Sequence, residues 1–222
     1  MQSRSVINPD FNEEDLAKEP KIKLNKNLLF GLLACMLFVN VGNFFSYDFP
    51  QLFENVLISK FNVDAIQVSF LYAIYSIPNF IFAPILSIML NHTGLGFGAI
   101  ILSSMVFLGQ LLVYYSCQTN SYLLMIVARG LYGIGAESLV VAQASMAERW
   151  FTGKFLSLAI GLNNVVGQLG VASAAWICPT IFVAKRDIQW VVFVMACLCF
   201  FCWIVAVGFW TFENKLIKEE TE

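Results

Sequence analysis

Six apolar stretches, each long enough to cross a lipid bilayer, govern what this chain can fold into. They run over residues 27–49, 65–90, 95–117, 122–147, 155–183 and 189–211. A spanning helix needs ~20 mostly apolar residues, because nothing in the hydrocarbon satisfies free backbone groups. Hydrophobic residues make up 59% of the chain and charged residues only 13%, against the roughly one quarter usual in a soluble domain. The charges gather at the two ends and in short breaks between apolar runs. The sequence therefore predicts an all-α membrane protein with six transmembrane helices over 27–211, flanked by polar tails at 1–26 and 212–222.

Several function classes drop out at once. A net charge of −2 and the lack of a basic stripe leave no nucleic-acid surface. Ser104, Ser138, Ser145 and His92 form no triad-like pattern, and no phosphate-binding glycine loop is present, so an enzyme is not expected. Cys197, Cys199 and Cys202 are close in sequence, yet a metal there would need thiolates in hydrocarbon with no His nearby. No metal and no cofactor are expected. Cys117 and Cys178 fall near the same membrane face, which leaves a disulfide open. The N-terminal tail carries Asp10, Glu13, Glu14, Asp15 and Glu19, too acidic for an Arg-rich transit peptide, and is expected to be a solvated end. Lys18, Lys21, Lys23, Lys26, Arg149, Lys154, Lys215 and Lys218 lie on one side of the bilayer, against Lys60, Lys185 and Arg186 on the other. That bias sets both termini on the cytosolic side, or on the matrix side in a mitochondrion.

Polar residues inside the spans mark the surfaces that avoid lipid. The first span runs into Asn40, Asn43, Tyr47, Asp48 and Pro50, and the second carries Tyr72, Tyr75, Pro78, Asn79 and Pro84. The fourth holds Arg129 and Glu137; the fifth holds Gly161, Asn163, Asn164, Gly167, Gln168 and Gly170. Glu137 lies ~12 Å deeper than Arg129 along the helix axis and about 80° round from it, so the two take different partners. A lone ion at mid-bilayer costs at least ~2.5–3.5 kcal/mol. Asp48 is the other acid at the depth of Arg129, and a structural Asp48–Arg129 ion pair is expected. In the third and sixth spans Ile101, Val106, Phe107, Leu111, Val191, Val192, Phe193, Phe200, Phe201 and Trp203 read as lipid-facing. Polar spans at 1, 2, 4 and 5 with greasy spans at 3 and 6 suit an inverted three-plus-three repeat.

The run Arg129-x-x-x-Gly133-x-Gly135 resembles the fourth-helix motif of the major facilitator superfamily. The stretches YDFPQLFENVL, LYAIYSIPNF and GLYGIGAESLVVAQASMAERWFTGKFLSLAIGL, within roughly 40–176, resemble its lysosomal dipeptide transporter branch. The resemblance implies half of that fold, since such transporters use twelve spans with the substrate path between two six-helix halves. It also implies substrate-binding roles for Tyr47, Tyr75, Asn79, Glu137, Asn164 and Gln168. The chain departs from the pattern in two places. The loop after the second span, Ser87–Gly96, lacks the acid and the basic residues of the family's cytosolic latch, and Gln168 falls where the resembling branch carries an Arg.

Two functional expectations follow. In the first, the chain is a transporter-derived, non-catalytic accessory or structural subunit of a larger membrane complex. A respiratory or ATP-synthase assembly of the mitochondrial inner membrane is the host considered, and other membrane subunits would cover spans 1, 2, 4 and 5. Without that cover Asn40, Asn163, Asn164 and Gln168 would meet lipid. In the alternative, the chain is a secondary transporter of small zwitterionic solutes such as dipeptides, in a lysosomal or other endomembrane, working as a homodimer of halves. Membrane lipids surround it in both.

Overall fold

A computed structural model describes residues 26–221, and the expected tail at 1–26 lies outside these residues but for Lys26. Ten helices follow in chain order. Helices α1 (Lys26–Phe38), α2 (Val41–Tyr47) and α3 (Phe49–Leu52) build the first span, and α4 (Glu54–Phe61) continues beyond it. Helices α5 (Ala65–Ser76) and α6 (Asn79–Thr93) carry the second. Helices α7 (Leu95–Thr119), α8 (Tyr122–Trp150), α9 (Gly153–Lys185) and α10 (Ile188–Thr221) are spans three to six. Six stretches of the described residues are long and apolar enough to cross a membrane.

Local chemistry sets the ends. Helices α4, α7 and α9 stop at Asn62, Asn120 and Arg186, each in the left-handed conformation that closes a helix. Asp64 and Gln67 form a capping box that opens α5, and the Ser121 hydroxyl accepts from the Leu124 amide to open α8. Pro78 separates α5 from α6, whereas Pro84 sits inside α6 without ending it. The last helix runs to Thr221, so the described part of the polar tail expected at 212–222 is helical, with Glu213 and Leu216 buried. The periodic stripe Phe209–Glu213–Leu216 carries the packing face along the end of the last span.

The packing follows the inverted repeat. Span 3 packs against spans 4 and 6, and span 1 packs against span 6. Span 2 packs on span 4 as span 5 packs on span 1. Exchanging 1 with 4, 2 with 5 and 3 with 6 preserves this pattern. Glycine allows the tightest approaches: a methyl at Gly109 would lie 2.7 Å from the Tyr132 backbone, and one at Gly42 would lie 2.9 Å from that of Leu198.

Two apolar clusters fill the bundle. One gathers Leu32, Met36, Leu102, Tyr132, Ala206 and Phe209, the other Phe45, Phe49, Leu71, Val113, Met125 and Val192. Between them along spans 1, 3 and 4 lie the buried polar residues Asn43, Gln110 and Arg129. Three residues read as lipid-facing are in fact core: Val106, Val191 and Val192 are buried. Leu108, Phe193, Phe200, Phe201 and Ile204 form the exposed surface of those spans. The greasy runs carry apolar residues on every face, so composition does not separate core from lipid there. All six cysteines are free thiols.

Candidate functional site

The site begins where span 1 is broken. Proline at 50 has no N–H to offer the Ser46 carbonyl, and the Gln51 amide turns to Asp48 and to the Tyr72 hydroxyl. The carbonyls of Ser46 and Tyr47 are therefore left without helical donors. Arg129 takes both, donating from Nη1 to Ser46 at 3.4 Å and from Nη2 to Tyr47 at 3.0 Å. Its guanidinium also stands 5.5 Å from the Tyr132 ring centroid and 5.9 Å from that of Phe49. This corrects the expected pair: Arg129 makes no ion pair with Asp48, and an ion pair of the fourth span instead joins Arg149 to Glu213. Freed carbonyls and ring faces stabilise the cation without the cost of burying a second ion.

A second break, at Val39–Asn40, is closed by side chains from spans 4 and 6. Gln143 donates to the Met36 carbonyl at 2.5 Å and accepts from Asn40 at 3.2 Å. Asn43 donates to Asn40 at 2.8 Å, and the Tyr132 hydroxyl donates to the Asn43 main-chain carbonyl at 2.7 Å. The Cys202 thiol accepts from the Gly42 amide at 3.1 Å and donates to the Phe38 carbonyl at 3.2 Å. Asn40, expected on the open face that a partner would cover, is instead buried within the bundle and hydrogen-bonded. The sequence signal for Gln143 was its polar amide inside an apolar run, and nothing in the sequence paired it with Met36.

Four of the six expected binding residues come together on one wall. The Tyr47 and Tyr75 rings meet edge to face with centroids 5.1 Å apart. One turn past Tyr75, Asn79 donates to the carbonyls of Tyr75 at 3.1 Å and of Gly133 at 3.2 Å. Its own side-chain oxygen is buried and has no hydrogen-bond partner. Glu137 lies one turn beyond Gly133, whose carbonyl accepts from Asn79. It belongs to the outward stripe of α8 that includes Leu123, Val127, Ile134, Val141 and Ala144. The other two residues, Asn164 and Gln168, are exposed on α9 and make no hydrogen bond to this wall. The wall presents the half-buried Glu137 carboxylate and the partly exposed Tyr47 ring, with Tyr75 and the Asn79 oxygen buried behind them, and a carboxylate next to an aromatic ring suits an organic ammonium group.

Six spans, two of them broken beside buried polar groups, and an open polar face define a multi-pass integral membrane protein of the transporter type. Residues 28–221 match the profile of the Major Facilitator Superfamily, and the chain belongs to that superfamily. It is 33% identical to the lysosomal dipeptide transporter MFSD1 of Danio rerio over 177 residues, 76% of this chain and 38% of the relative. The human protein of the same name is 34% identical over 149 residues, 67% of this chain and 32% of the relative. The mouse protein is 33% identical over 140 residues, 63% and 30% of the two chains. The chain thus spans about a third of the length of the curated relatives it matches. Those relatives are transporters by name, which favours the transporter reading over an accessory subunit of a mitochondrial assembly.

Proposed function

We propose that this bundle is one half of a secondary transporter for small amine-bearing solutes, with zwitterionic dipeptides as the reference class. The observation that carries the proposal is Glu137 on the outward stripe of α8, one turn from Gly133, to whose carbonyl Asn79 donates next to the Tyr47–Tyr75 ring pair. The carboxylate holds the solute's ammonium group, and the tyrosine rings flank it. The relatives named as lysosomal dipeptide transporters support this chemistry and an endomembrane location.

The open face of spans 1, 2, 4 and 5 needs a second wall. Halves of this fold are related by an axis along the membrane normal, so another six-span unit in the same orientation supplies it. A second copy of this chain meets that requirement. Uptake of labelled dipeptide into proteoliposomes holding the purified chain tests the proposal. Flux above empty vesicles, lost in Glu137→Gln, is expected. No flux across a broad dipeptide panel would contradict it.

A further inference from the structure

The exposed surface of α9 is divided lengthwise, and the division says what the other end of the solute looks like. At about 100° per residue, Leu158, Val165, Leu169 and Trp176 fall on one side. All four are large, apolar and more than half exposed. Ser157, Gly161, Asn164, Gln168, Ala172 and Ala175 fall on the adjacent side, also exposed but small or polar. The first side suits lipid; the second suits a solute path or a protein neighbour.

Asn164 and Gln168 are four residues apart and share that second side. Gln168 lies ~22 Å along α9 from its start at Gly153, and Glu137 lies ~20 Å along α8 from its end at Trp150. These two helix ends are joined by a short turn, so the amide pair and the carboxylate sit at one depth. No cation of the described residues shares that depth on the open face. Arg129 is 1% exposed and committed to the carbonyls of Ser46 and Tyr47. Lys60, Lys185 and Arg186 lie at one end of the bundle, and Lys26, Arg149, Lys154, Lys215 and Lys218 at the other.

We infer that, among the amine-bearing solutes proposed above, the bundle prefers those whose far end is neutral and hydrogen-bonding, such as a dipeptide amide over the zwitterionic dipeptide, and that Asn164 and Gln168 read that end. This rests on the transporter reading above. Primary amides donate and accept, so they match a neutral amide in both directions. With a second copy as the facing wall, neither copy places a cation at that depth, so a carboxylate there would be desolvated without a counter-charge, which disfavours it.

The test compares uptake of alanylalanine and alanylalanine amide into proteoliposomes holding the full chain. The wild type is expected to favour the amide by about tenfold. Gln168→Arg, on an exposed position, is expected to reverse the preference, and Gln168→Leu to reduce amide uptake. Equal or greater uptake of the free dipeptide by the wild type would overturn the inference and leave the transporter reading standing. Uptake of neither compound would overturn both. The wild-type comparison decides the matter even where a variant does not fold.

Discussion

Arg129 donates to the main-chain carbonyl of Tyr47 at 3.0 Å, deep in the bundle, and this contact ties the fourth span to the break in the first. The charge is held by a helix end and not by an acid. Removing the guanidinium leaves two carbonyls unpaired. Arg129→Leu is expected to lower unfolding stability in detergent by about 3 kcal/mol. Asp48→Asn is expected to change it by less than about 0.5 kcal/mol. Equal losses from the two variants would restore the ion-pair reading.

Much of this fold is legible in the sequence because a bilayer demands long apolar runs. The six spans and their polar members at Tyr47, Tyr75, Asn79 and Glu137 follow from that demand. The partner of Arg129 does not, because a charge list contains no carbonyls. The available signal was Pro50, four residues after Ser46, which removes the donor that Ser46 would use. The break at Val39–Asn40 has no proline, and its closure by Gln143 and Cys202 depends on contacts more than one hundred residues away in sequence. Glu213 reads as part of the polar tail at 212–222, since one carboxylate in an apolar stripe looks the same in either setting.

Glu213 is buried and faces Arg149 at 3.7 Å, where Gly96 leaves room for its carboxylate. The pair joins spans 4 and 6 over the start of span 3. The loop after span 2 lacks the family's charged latch, and this contact holds the same end of the bundle from within. A methyl at position 96 would overlap the Glu213 carboxylate. Gly96→Ala is expected to cost about 1–3 kcal/mol in the wild type. In a Glu213→Ala background the cost is expected to fall below about 1 kcal/mol. Thermal unfolding of the four proteins reads the coupling, and additive losses would show that the two sites do not touch.

Cys202 supplies both a donor and an acceptor to the broken first span. Serine keeps both functions and alanine keeps neither. Cys202→Ser is expected to remain within about 1 kcal/mol of the wild type, and Cys202→Ala to lose about 1–2 kcal/mol. Matching stabilities of the two variants in denaturant titrations would reduce the thiol to a space-filling role.

On the proposed reading Glu137 holds the solute's ammonium group, and its side chain is only half-buried, so its loss separates function from stability. Glu137→Gln is expected to abolish dipeptide uptake while the unfolding midpoint stays within the range of a surface substitution, about ±0.5 kcal/mol. A large drop in stability with uptake preserved would assign the carboxylate to the framework.

Everything above depends on the polar side of spans 4 and 5 meeting water and solute while the bulky side meets lipid. Labelling single cysteines in intact membranes with a water-soluble thiol reagent measures this directly, in a chain whose exposed Cys197 has been replaced. Gln168→Cys and Val141→Cys are expected to react and to be protected by solute, whereas Leu169→Cys and Phe193→Cys are expected to stay unlabelled. Labelling at Leu169→Cys with silence at Gln168→Cys would place lipid where the solute path has been drawn, and would contradict the account.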